Sequence, residues 1–131
     1  MTPQREEAER MLRLARRDQA ALGVLLGAPG VGLSVALFHA QQAAEKALKA
    51  VMCLHGVEYR RTHDLEELAA QLTNAGITPS IDKTELRRLT PYAVEFRYDD
   101  EATQLLTGVQ AQAIVVSLLV WTDTQIGSGP S

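Results

Sequence analysis

The chain has 131 residues, 46% hydrophobic and 22% charged, which allows one buried core, is too short for two, and excludes a disordered or fibrous protein. A formal net charge of -3 excludes a protein that coats DNA or RNA by bulk electrostatics, so any nucleic-acid contact must be local. The single cysteine, Cys53, excludes an internal disulfide and a Cys-rich metal site and fits a reducing compartment.

Residues Pro3 to Leu26 carry Ala8, Met11, Leu12, Ala15, Leu22, Leu25 and Leu26 at helical spacing between charged residues, which predicts a first helix. Its charged beginning lacks the apolar core of a secretory signal or a membrane anchor. The Gly27–Gly32 segment lacks the Gly-Lys-Ser/Thr ending of a phosphate-binding loop and the strand before it, so it reads as an interhelical turn.

Ser34 is the expected cap of a second helix reaching about His55. At about 100° per residue, Leu37, Ala44, Leu48, Val51 and His55 fall on one side, the expected core face. His39, Gln42, Lys46, Lys49 and Cys53 stack on the other within roughly 80°. The second row offers donors, acceptors and two cations that suit an anionic or nucleotide-like group, or an ordinary solvated face. Glu45 and Lys49 also have the i, i+4 spacing of a helix ion pair. The histidines at 39, 55 and 63 with Cys53 have no ligand spacing, so no metal and no cofactor is expected.

A connection from Gly56 to Arg61 leads to a third helix at Thr62-His63-Asp64-Leu65, where Asp64 and Glu67 have capping-box spacing and Asn74 or Gly76 ends the helix. Leu65, Leu68, Ala69 and Leu72 form its core stripe. Asp82 and Glu85 repeat the capping pattern before a helix through Leu86 and Leu89 that Pro91 breaks or kinks, with Tyr92 to Phe96 continuing as helix. After a polar interruption from Arg97 to Glu101, Leu105, Val109, Ala113, Val116 and Val120 are the predicted core face of a last helix, with Asp100 and Glu101 suited to its positive end. The longest apolar run, Ala113 to Trp121, is interrupted by Ser117 and too short to span a membrane. The sum is an all-α, up-and-down bundle of four to five helices with antiparallel neighbours, one domain over residues 1–126 and a flexible tail over 127–131, with no membrane contact and a cytoplasmic location.

Three blocks then point to a family: Phe38-His39-Ala40-Gln41-Gln42-Ala43-Ala44-Glu45-Lys46-Ala47-Leu48-Lys49-Ala50, Thr62-His63-Asp64-Leu65, and Tyr92-Ala93-Val94-Glu95-Phe96-Arg97-Tyr98. In this order and spacing, from about residue 5 to 125, the chain resembles the HEPN family, small helical domains commonly encoded beside minimal nucleotidyltransferases. The resemblance implies a bundle that dimerises, with functional residues along a cleft near the dimer interface.

Many HEPN members are metal-independent ribonucleases that use an Arg, a polar residue and, after four to six intervening positions, a His. Downstream of Arg97 the permitted positions hold Ala102, Thr103 and Gln104, and no other arginine has a correctly spaced histidine. The chain is similar to the branch without that pair, which implies a non-catalytic nucleotide-binding or interaction module that dimerises and associates with a separately encoded nucleotidyltransferase. The alternative is a ribonuclease toxin of a toxin–antitoxin pair that uses His63 or His39 instead.

The candidate nucleotide-binding residues are Gln42, Lys46, Lys49, His63, Arg97 and Tyr98. The resemblance singles out Arg97, whose guanidinium is a fixed fork for phosphate, while Tyr98 suits either stacking on a base or packing at the bundle end. A proline often follows this tyrosine in the family; here it is Asp99, which adds negative charge beside the anion site.

Overall fold

The computed structural model describes residues 2–93 and 106–129. Five α-helices are present among them: α1 (Pro3–Leu26), α2 (Leu33–Leu54), α3 (Leu65–Asn74), α4 (Lys83–Leu89) and α5 (Gly108–Ser128), with a 3-10 turn at Thr90–Ala93 after α4. No strand occurs among the described residues, and the all-α bundle expected from the sequence is what forms. None of the described helices is long and apolar enough to cross a membrane.

α1 starts where Thr2 accepts a hydrogen bond from the Arg5 amide at 3.1 Å and Pro3 supplies a preset φ. Its inward residues are Ala8, Leu12, Ala15 and Leu22, with Asp18 among them. α2 starts at Gly32, which has no side-chain cap; Ser34 is already inside the helix and buried, so it is not the cap that the sequence suggests. The partly buried Leu33, packed on the core, brings the first turn inward.

α2 is the central element and packs against α1, α5, α3 and the 3-10 turn. Ala36, Ala40, Ala43, Ala44, Ala47 and Ala50 are all buried, so small side chains line it on several sides and let neighbouring axes come close. Leu37, Leu48 and Val51 are buried as expected, whereas His55 is exposed. The helix ends before the wheel projection reaches His55: it is the C-cap, Gly56 takes φ 66°, and the Gly56 and Val57 amides return to Cys53 O and Met52 O. α3 ends in the same way, with Gly76 at φ 87° and Ile77 bonded back to Leu72 O.

Asp64 caps α3 through the amides of Glu66 and Glu67, and Asp82 caps α4 through Thr84. Neither forms the reciprocal box among the described bonds; Glu67 pairs instead with Arg60. The complete box lies at the start of α5, where Thr107 and Gln110 each bond the other's amide. α4 ends at Leu89 before Pro91, and Tyr92 is buried in the 3-10 turn. The predicted helix over 94–96, the interruption from Arg97 to Glu101 and Leu105 lie outside the described residues.

Side-chain pairing fixes the directions. Asp18 meets His39 and Lys46, and a Cβ on Gly56, just past α2, would meet Gln4 at the start of α1, so α1 and α2 are antiparallel. Thr122 bonds Ala47 O, and a Cβ on Gly129 would meet Leu54, so α5 runs parallel to α2, a correction to the antiparallel neighbours expected from the sequence, because α3 and α4 carry the chain back between them.

The inward face of α5 is Ala111, Ile114, Val115, Leu118, Leu119, Thr122 and Ile126. This corrects the sequence expectation, since Val109, Val116 and Val120 are 77%, 50% and 62% exposed and Ala113 is exposed too. α5 is apolar almost all round, so periodicity could not choose a face. The polar residue in the true core, Thr122, is satisfied by the carbonyls of Leu118 and Ala47. α5 also continues through Gly127 and Ser128, which the sequence assigns to the tail.

Candidate functional site

The polar row on α2 is present, but its members are paired within the protein. His39 Nδ1 lies 2.9 Å from Asp18 Oδ1, and Lys46 donates to Asp18 Oδ2 at 2.5 Å, so one carboxylate of α1 holds both. One turn on, Glu45 holds the other cation and another histidine: Lys49 donates to Oε2 at 3.0 Å and His63 Nδ1 lies 2.8 Å from Oε1. The expected Glu45–Lys49 pair is therefore one part of a larger cluster. Gln41, fully buried, donates to Glu45 at 3.1 Å and to the His63 carbonyl at 3.1 Å, and Gln42 donates to Gln41 at 2.7 Å.

This geometry sets the electrostatics. Two lysines face two carboxylates, so the row is self-neutralised while its histidines are neutral. Burial opposes the charged form of Glu45, but hydrogen bonds from His63, Gln41 and Lys49, with the lysine's charge, outweigh it and hold the carboxyl below the ordinary glutamate range. Lys49 is also 5.0 Å from the centre of the Tyr59 ring, a cation–π contact. Burial first, then the charge of Glu7, raises the Cys53 thiol above its usual value, which makes it a poor nucleophile. Among the described residues no three His, Cys, Asp or Glu side chains are grouped to hold a metal.

Of the candidate residues, the structure brings Gln42, Lys49 and His63 into one network through Gln41 and Glu45 and places Lys46 on Asp18. Arg97 and Tyr98 lie outside the described residues. His63 differs from the rest: its side chain is 67% exposed although one ring nitrogen meets a carboxylate that is only 8% exposed. The sequence reading missed Asp18, Gln41 and Glu45 as functional residues. The available signal was register: Asp18 fills the gap in the row Ala8, Leu12, Ala15, Leu22, and Gln41 and Glu45 interrupt the row from Leu37 to Leu48 and Met52. A polar residue in a core register requires a partner.

A second feature lies on α5. A cavity of about 630 Å³ opens between α1 and α5, lined by Leu22, Val109, Ala113, Val115 and Val116 with Gln19, Gln112 and Ser117 at its polar points. Asp123 is the one charged residue in the sequence of α5, and Arg16 of α1 pairs with it at 3.2 Å.

Comparison with known proteins matches the HEPN domain over residues 6–117, most of the chain. This chain belongs to the HEPN domain family. Among solved structures, the crystal structure of an archaeal HEPN homologue is similar, with 25% identity, 94% of each chain covered and a TM-score of 0.47. No curated protein matches. The blocks at 38–50 and 62–65 thus belong to a HEPN domain in which both contribute to one cluster around Glu45.

Proposed function

We propose that this HEPN domain is an interaction module: it self-associates through the outer face of α5 and pairs with a separately encoded minimal nucleotidyltransferase. The observation that carries this reading is the apolar outer face of α5. Val109, Ala113, Val116 and Val120 follow one another at helical spacing in water, beside the α1–α5 cavity. A helix that is apolar all round belongs in a buried environment, and burying one valine side chain fully contributes about 1.5 kcal/mol or more. The face bears no unpaired charge, so a two-fold that brings it onto itself creates no like-charge clash. Light scattering across micromolar concentrations tests the reading: a dimer mass supports it and a monomer mass removes it.

The module reading includes a nucleotide along the polar edge of α2, contacted by Gln42, Lys46, Lys49, His63, Arg97 and Tyr98. Lys46 and Lys49 are each held by a carboxylate, so Arg97 and the exposed His63 carry most of the phosphate recognition. Calorimetry with ATP, AMP and GTP, with and without the partner, tests this; Arg97→Ala weakens binding about tenfold, the equivalent of 1.4 kcal/mol.

A ribonuclease toxin is the competing reading, and the orientation of His63 by Glu45 and of His39 by Asp18 favours it, because a fixed imidazole suits proton transfer.

A further inference from the structure

His63 is held twice from α2. Gln41 donates to its main-chain carbonyl, and Glu45 meets Nδ1 of its ring, one helical turn apart. A histidine that served only as a staple would gain from burying its ring, yet about two thirds of this side chain is in water. Glu45 accepts and cannot donate when ionised, so the Nδ1 proton stays on the ring between them. The neutral ring then has a bare Nε2, and protonation from solvent adds an Nε2–H donor with a positive charge. Gln41 prevents rotation of the main chain beneath the ring, so tautomer and direction are both set by α2.

We propose that Glu45, supported by Gln41, is a positioning residue that fixes His63 as a proton-gated contact for the phosphate of a nucleotide. The proposal rests on the nucleotide part of the module reading. The neutral form offers the phosphate only a lone pair and repels it, while the protonated form donates Nε2–H to a phosphate oxygen and converts the self-neutralised row to net positive. The other charged groups about the ring fit this gating. From α2, Lys49 occupies the far oxygen of Glu45; from the start of α3, the Asp64 carboxylate is engaged by the amides of Glu66 and Glu67; and in the preceding loop Arg60 pairs with Glu67 of α3, with Arg61 exposed beside it.

Two measurements on the full chain test the proposal. Long-range proton–nitrogen NMR of the free protein at pH 8 is expected to give one His63 tautomer, protonated at Nδ1. Glu45→Gln keeps the shape, removes the charge and is expected to give a mixture of His63 tautomers, because an amide can donate as well as accept. In the second measurement AMP is titrated at pH 8 and pH 6 into wild type and His63→Asn, whose melting curves establish that both are folded. AMP's own phosphate titrates equally in both experiments, so only the difference between the proteins counts. The wild-type advantage over His63→Asn is expected to grow about tenfold from pH 8 to pH 6, and Glu45→Gln, which no longer fixes the ring, is expected to show less of that growth. A mixture of tautomers in the free protein, or an advantage that does not change with pH, overturns the proposal while leaving AMP binding intact. No AMP binding by wild type at either pH removes the phosphate contact together with the nucleotide reading, even if the tautomer is fixed.

Discussion

The two sides of this bundle invert the usual distribution of residues. Along the seams of α2 with α1 and with the loop before α3, carboxylates are pulled inward and matched: Asp18 with His39 and Lys46, Glu45 with Gln41, Lys49 and His63. Along the outer side of α5, valines stand in water with no match among the described residues. The first arrangement satisfies itself and contributes order more than net stability, because desolvation of each charge offsets much of the attraction. The second leaves favourable burial unrealised within one chain. The difference teaches that a small domain can commit most of a polar row to internal pairs, leaving one ring, His63, in water, while an apolar face stays open to partners.

The largest effect expected from breaking this contrast is on assembly. Val116→Glu places a charge at the centre of the α5 row on both sides of a two-fold, and is expected to convert a dimer to a monomer by light scattering without loss of helical circular dichroism, since Val116 is half exposed. An unchanged mass moves the interface elsewhere.

Next comes the seam. Glu45→Ala removes the acceptor of three donors in a buried position, with an expected cost of about 3 kcal/mol in urea unfolding. A cost close to zero means that water replaces the carboxylate and that the seam is more open than its burial indicates.

The acid limb of stability sharpens the same point. Glu45 has a lower carboxyl pKa folded than its ordinary 4.5, so its contribution is complete above that ordinary value and is lost as pH falls through the folded value. Wild type is therefore expected to lose stability below about pH 4.5 more steeply than Glu45→Gln, as followed by urea midpoints. Parallel curves would assign acid sensitivity to other carboxylates.

The smallest expected effect is on RNA. Without the Arg-to-His spacing, purified protein is expected to leave tRNA and mRNA intact, and His63→Ala to leave any background unchanged. Cleavage that disappears in His63→Ala promotes the toxin reading and turns the Glu45–His63 pair from a binding device into acid–base machinery.

What the sequence made legible follows from how one-sided each helix is. α1 and α3 bury one stripe and solvate the rest, so their rows from Ala8 to Leu22 and from Leu65 to Leu72 were readable along with their ends. α2 and α5 are apolar on more than one side. On α2 the polar row was visible, but partners in α1 and in the loop before α3 are 21 and 18 positions away, a separation that helical periodicity does not encode. On α5 the wheel offered two apolar faces, and the choice was made by the packing of the helix against α2 and α1, which buries Ala111, Val115 and Leu118, not by their hydrophobicity. The family blocks indicated the candidate site because Glu45 and His63 lie within them, although neither the order of the bonds nor the part played by Gln41 was readable.

The parallel placement of α5 on α2 has a kinetic consequence. The α1–α2 hairpin closes across a short turn and is expected to form early, whereas the bond from Thr122 to Ala47 spans 75 positions and closes only after α3 and α4 have carried the chain back. Until then α5 waits with both faces apolar. A newly made chain is expected to pass through a state in which its last helix shows apolar rows on two sides, and the rate at which that helix docks then decides how much of the protein reaches the native form before chains adhere to one another.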